Sequence, residues 1–103
     1  MPNRYIYSRR AVRQVKKIYL DTANEWGLAQ ADKYDEGLEH SLQLLADNPS
    51  MGRECNEIRK GYHQHEYGSH IIFYRQRKSD VFITAIIYDS MNLKRIFSRR
   101  DNG

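Results

Sequence analysis

Residues 70–88, HIIFYRQRKSDVFITAIIY, decide the fold. Two apolar runs, Ile71-Ile72-Phe73-Tyr74 and Val81-Phe82-Ile83-Thr84-Ala85-Ile86-Ile87, flank a polar connector, Lys78-Ser79-Asp80. Runs rich in β-branched and aromatic residues, bounded by turn formers, read as strands. Neither run alternates strictly between apolar and polar, so both are expected in the middle of a sheet with both faces covered. The short connector makes them an antiparallel hairpin, His70 to Gln76 and then Val81 to Tyr88.

Working outward toward the N-terminus, Gly68-Ser69 and Gly61 punctuate two further strand-like runs, Tyr62 to Tyr67 and Cys55 to Arg59. Ser50-Met51-Gly52-Arg53 reads as a turn or loop. Before Asn48-Pro49 the period changes to that of a helix. Ala31, Tyr34, Leu38, Leu42 and Leu45 form an apolar stripe over about Ala29 to Asp47, and Pro49 ends it. An earlier helix, from Ser8 as N-cap to Trp26, carries Ala11, Val15, Ile18, Thr22 and Trp26 at the same spacing, with Gly27 as its stop. The short Gly27-Leu28 connection predicts an antiparallel helix hairpin, with Trp26 and Tyr34 packed in the core or in the hairpin. Arg4-Tyr5-Ile6-Tyr7 reads as a short first strand. Beyond Tyr88, Met91 to Phe97 has room for one or two helical turns. The expected fold is α+β, in the order β-α-α-β-β-β, with an antiparallel sheet packed against an N-terminal helix hairpin and a possible short C-terminal helix. One domain spans residues 1–97, and residues 98–103 are a polar tail.

The chain has 103 residues, enough for one core and too few for two domains. With 40% apolar and 29% charged residues it has the composition of a folded globular domain rather than a disordered one. It has no run of about 18 apolar residues and no apolar leader, so a cytoplasmic protein without a membrane span is expected. Cys55 is its one cysteine, which excludes an internal disulfide or a cysteine cage for zinc; an inert, partly buried thiol is expected there.

The net charge of +4 hides a strong segregation. Residues 1–20 carry six bases and no acid, residues 21–57 nine acids against two bases, and residues 58–103 nine bases against four acids. If the two basic regions meet in space, they favour an acidic partner, and charge alone admits either nucleic acid or an acidic polypeptide. Arg9 and Arg10 fall in the first turn of a helix, where the dipole disfavours cations, and such a broken local rule points to another use for the charge.

Taken in order, these segments resemble the ParE toxins of bacterial toxin–antitoxin pairs, within the wider RelE/ParE group. The likeness lies in Tyr7-Ser8 followed by Ala11, Val15, Ile18 and Tyr19; in Trp26-Gly27 with Gln30-Ala31 and Tyr34; and in Asn48-Pro49-Ser50-Met51-Gly52-Arg53. It continues through Ile58-Arg59-Lys60-Gly61, Gly68-Ser69-His70-Ile71-Ile72-Phe73-Tyr74-Arg75, and Ile86-Ile87-Tyr88-Asp89-Ser90-Met91-Asn92-Leu93-Lys94-Arg95. The resemblance implies the toxin of a type II toxin–antitoxin system that inhibits DNA gyrase. It further implies neutralisation by a ParD-like antitoxin encoded in the same operon, contact with operator DNA only through that antitoxin, a toxin–antitoxin hetero-oligomer, no cofactor and no catalysis.

The RelE side of the group cleaves messenger RNA on the ribosome, which needs cations for the transition state and groups that move protons. Here Tyr62-His63-Gln64-His65-Glu66 stands where the resemblance places a lysine-bearing strand, His70 where it places an arginine, and Phe97, with no hydroxyl, where it places a tyrosine. An endoribonuclease of altered site would use His63, His65 and His70, brought to one face by strand pairing, with Arg59 or Arg75 nearby. A non-toxic, antitoxin-binding member is a further alternative. Zinc at His63, His65 and His70 is not expected, since no carboxylate or thiol completes the sphere. Arg75 is read as either a buried, paired structural residue or a functional one. For a binding toxin, Lys94, Arg95, Ile96, Phe97, Arg99 and Arg100 combine apolar anchors with bases in a target-binding segment. Arg9, Arg13, Lys16 and Lys17 offer an acidic amphipathic antitoxin segment its counter-charges.

Overall fold

The computed structural model describes residues 3–89, and the expected helix over 91–97 and tail over 98–103 lie outside them. Ser8 starts the first helix as the sequence predicts. Its hydroxyl accepts from Ala11 N–H at 3.0 Å and donates to the Thr84 carbonyl at 2.9 Å, so one cap also ties helix to sheet. Strand β1 (Tyr5–Tyr7) therefore runs directly into α1 (Arg9–Trp26). Gly27, at φ +94°, both ends α1 and opens α2 (Leu28–Asp47), a conformation that a side chain would strain. After Pro49 come β2 (Arg53–Glu54), β3 (His63–Tyr67), β4 (His70–Gln76) and β5 (Val81–Tyr88).

The five strands lie in the order β1-β5-β4-β3-β2. Strands β2 to β5 pair antiparallel, as expected, but β1 lies parallel to β5, with Tyr5, Ile6 and Tyr7 opposite Val81, Phe82 and Ile83. The sheet is mixed. A first strand that returns to the sheet through two helices is not bound by the hairpin rule that sets the direction of the others.

The predicted strand from Cys55 to Arg59 is absent, and the short pairing β2 lies just before it. Residues 55–62 fold instead as turns. Ile58 N–H and Tyr62 N–H donate to the carbonyls of Cys55 and Arg59, and Gly61 N–H donates to the Asn56 side chain at 3.0 Å. Asn56 and Gly61, at φ +86°, offer the backbone a local alternative to a ladder.

Helices cover one face of the sheet. Leu38, Leu42 and Leu45 of α2 and Ala11 of α1 are buried against Ile72, Tyr74, Val81, Ile83 and Ile86. The opposite face holds Ile71, Phe73 and Ala85, buried with Cys55 and flanked by Tyr62 and Ile87. The two central strands are thus covered on both sides, and residues at both ends of the 55–62 turn segment supply the second cover. Cys55 is fully buried, and burial raises its thiol pKa. The ladder also shifts register between Phe73 and Tyr74, leaving Thr84 without a strand partner, while its hydroxyl donates to the Phe73 carbonyl at 3.0 Å. This bulge lets Val81 and Ile83 face the helices and then hands that face to Ile86. It is a second reason why the run from Val81 to Ile87 does not alternate.

Candidate interaction surfaces

Strand β1 stops opposite Ile83, so β5 runs on to Tyr88 with no strand on that side. Helix α1 crosses there, and the Gln14 side-chain oxygen accepts the Ile86 N–H at 2.7 Å, standing in for a neighbouring strand. Between the second half of α1 and this end of β5 opens a cleft of about 1240 Å³, lined among others by Ile18, Thr22, Trp26, Tyr34, His70 and Tyr88. Trp26 is 69% exposed and Tyr88 53%. The expectation that Trp26 packs in the core or the hairpin is therefore wrong: it follows the helical period, but at the last position of α1 it stays exposed at the rim of the cleft. Two large aromatics left open beside an unpaired strand edge suit capture of a peptide segment.

Tyr34, by contrast, is fastened. Its hydroxyl accepts from Ser69 N–H at 3.1 Å and lies 3.2 Å from the Tyr67 carbonyl and 2.7 Å from His70 Nδ1. With one proton it donates to only one of the last two, so when it donates to Tyr67 the imidazole is the donor. Burial lowers the His70 pKa, against a weaker raising by Asp21.

The other members of the alternative ribonuclease site are dispersed. Cross-strand pairing sets His63 opposite Tyr74, His65 opposite Ile72 and His70 opposite Tyr67, all on the helix-facing side, as the spacing predicts. His63 stacks on Tyr74 with ring centroids 5.4 Å apart, and its Nδ1 is buried without a hydrogen-bond partner. Arg75 pairs with Phe82 and lies on the opposite face, its guanidinium 5.4 Å from the Phe82 ring; it is exposed rather than buried. Arg59 stands in the turn after Cys55, exposed. Arg75 thus does not join the histidines. Among the described residues no three His, Cys, Asp or Glu side chains are placed to hold a metal.

The antitoxin-binding candidates Arg9, Arg13, Lys16 and Lys17 are all exposed on α1, together with Arg10, and Lys17 is paired with Asp21 at 3.1 Å. Val12 and Leu20, 39% and 60% exposed, lie among them, so this surface mixes cations with apolar groups. Lys94, Arg95, Ile96, Phe97, Arg99 and Arg100 lie outside the described residues. No helix among the described residues is long and apolar enough to cross a membrane.

A family model, described as the ParE toxin of type II toxin–antitoxin system, parDE, matches residues 5–93. The protein named Toxin ParE1 of Mycobacterium tuberculosis is 34% identical over 96 residues, covering 92% of this chain and 98% of that one. Toxin ParE1 of Caulobacter vibrioides is 33% identical over 90 residues, covering 87% and 93%. Among solved structures, the chromosomal ParDE toxin–antitoxin system from P. aeruginosa superposes with a TM-score of 0.72 at 16% identity, over 84% of this chain and 96% of that one. The toxin–antitoxin complex RelBE2 from Mycobacterium tuberculosis gives 0.55 at 18% identity, over 85% and 99%. At these identities the solved structures bear on the fold alone.

Proposed function

Because the chain belongs to the ParE toxin family of type II toxin–antitoxin systems, whose members bind rather than catalyse, we propose that it inhibits DNA gyrase in the cytoplasm and is held inactive by a ParD-like antitoxin. The match over residues 5–93 carries this reading. The placement of Arg75 on the face opposite His63, His65 and His70 supports it, since among the described residues the pairing of the strands keeps that cation apart from those proton-moving groups. The antitoxin contributes an acidic, amphipathic segment. Its carboxylates meet Arg9, Arg13, Lys16 and Lys17, and its apolar side chains enter the cleft between Trp26 and Tyr88. Lys94, Arg95, Ile96, Phe97, Arg99 and Arg100 form the gyrase-directed segment. Operator DNA is reached through the antitoxin within a hetero-oligomer. Supercoiling by purified gyrase, with this protein added at several-fold molar excess, is expected to be inhibited and to recover on addition of the antitoxin. Undiminished supercoiling overturns the reading, and cleavage of ribosome-bound message would replace it.

A further inference from the structure

At the end of β5 opposite the cleft, a second group of cations converges. Cross-strand pairing puts Phe82 beside Ile6 on one side and Arg75 on the other, on the face of the sheet away from the helices. The alternation of β1 brings Arg4 to the same face as Ile6, and the Arg4 carbonyl accepts the Val81 N–H at 3.0 Å, which fixes it next to Asp80. Two guanidinium groups stand over the Phe82 ring, Arg75 at 5.4 Å from its centroid and Arg77 at 4.2 Å. Arg77 also grips Asp80 through two hydrogen bonds of 2.6 and 2.8 Å. Asp80 thereby spends its charge on Arg77, and both remaining arginines are near enough to lower its pKa further. The ion pairs Lys17–Asp21 and Arg77–Asp80 include neither Arg4 nor Arg75, which act on Asp80 only from a distance. Lys78, at the hairpin tip, adds another exposed cation.

We propose that this corner, with Arg4 and Arg75 as the contacting residues and Arg77 and Phe82 as their support, binds the phosphate backbone of duplex nucleic acid. Cation–π attraction to the Phe82 ring holds the Arg75 guanidinium near this corner, and a planar fork matches phosphate oxygens. A protein interface of this size would need an apolar anchor with a free face. Guanidinium groups occupy the Phe82 ring, and Ile6, 38% exposed, offers a single apolar side chain beside them. Backbone contacts need charge and orientation without such an anchor, and they carry no sequence preference. The contact is therefore separate from operator recognition through an antitoxin, and it goes beyond gyrase inhibition because it is measured with no gyrase present.

The test uses the full chain, a fluorescent 20-base-pair DNA duplex and an RNA duplex of the same sequence, followed by anisotropy between about 50 and 200 mM salt. Binding that weakens with salt is expected for the DNA, and the RNA arm tells whether the backbone alone is read. Each lost phosphate contact makes the slope of log K against log salt shallower by about 0.9, so Arg4→Gln with Arg75→Gln should flatten it by about 1.8. The single variant Arg4→Gln should flatten it by about 0.9, which keeps the test open if the double variant folds poorly. Lys33→Gln, which removes an exposed cation of α2, should leave the slope as it is. An unchanged slope in the Arg4 and Arg75 variants overturns the proposal. So does the absence of duplex binding at the lowest salt, and so does binding to poly-glutamate with none to either duplex.

Discussion

Tyr74 is fully buried, and its hydroxyl fastens the chain that leaves α2. It donates to the Pro49 carbonyl at 2.7 Å and accepts the Gly52 N–H at 2.9 Å. Tyr74→Phe leaves both groups without that partner and should cost about 1–3 kcal/mol in urea denaturation. A Cβ at Gly52 would collide with the Tyr74 side chain, so Gly52→Ala should cost about 1–3 kcal/mol as well. Because the two substitutions share one contact, the double variant should cost less than the two single losses together. Strict additivity would mean that the hydroxyl does not hold the loop. The sequence marks Tyr74 as a strand residue and Gly52 as part of a turn. Their meeting was not legible, because nothing local links positions 22 residues apart. His70 carries a second prediction at this scale. Burial sets its folded pKa below the ordinary 6.5, so the unfolded chain binds its proton more readily. This contribution to stability is full above pH 6.5 and is lost progressively as pH falls through the lowered value. His70→Gln should flatten the dependence of the denaturation midpoint between about pH 7.5 and 5. An equally steep dependence in that variant would assign the titration to another group.

At the scale of elements, α1 is the one whose sequence works against itself. Arg9 and Arg10 occupy its first two positions, and no acid lies in its first turn. Replacing both by Glu should stabilise the helix by about 0.3–1 kcal/mol per residue, visible as a higher thermal midpoint. If the basic face of α1 is an antitoxin surface, the same variant should bind the antitoxin more weakly and with less salt dependence. A gain in stability with unchanged affinity would show the charges to be a solvated face only. The helices themselves were largely legible. Ser8, Gly27 and Pro49 mark their ends by chemistry that acts within a few residues, and the observed spans, Arg9–Trp26 and Leu28–Asp47, follow closely. Strands β4 and β5 were legible from their apolar runs. The parallel pairing of β1 and the turns at 55–62 were not. The first depends on where two helices return the chain, and the second on a buried Cys55 and an Asn56 side chain that no strand pattern reveals.

At the scale of the whole molecule, the proposed binding surfaces are where sequence reading was weakest. It found the basic residues of α1 and the basic segment from Lys94 to Arg100, because charge is visible without a fold. It assigned Trp26 to packing, because helical periodicity alone does not fix exposure. An exposed side chain that supports no core can be removed cheaply, so Trp26→Ala should change folding stability by no more than about 0.5 kcal/mol. If it anchors the antitoxin in the cleft, the same change should weaken that complex by about 2 kcal/mol, or roughly 30-fold, as the loss of a central aromatic does. Neutralising Lys94, Arg95, Arg99 and Arg100 should do the reverse, lowering gyrase inhibition while antitoxin affinity stays nearly the same. Titrating both variants against antitoxin and against gyrase gives four affinities, and the proposed division requires each variant to fail in one assay only. If Trp26→Ala loses gyrase inhibition and keeps its antitoxin, the cleft is the effector surface and the roles of the two regions are exchanged.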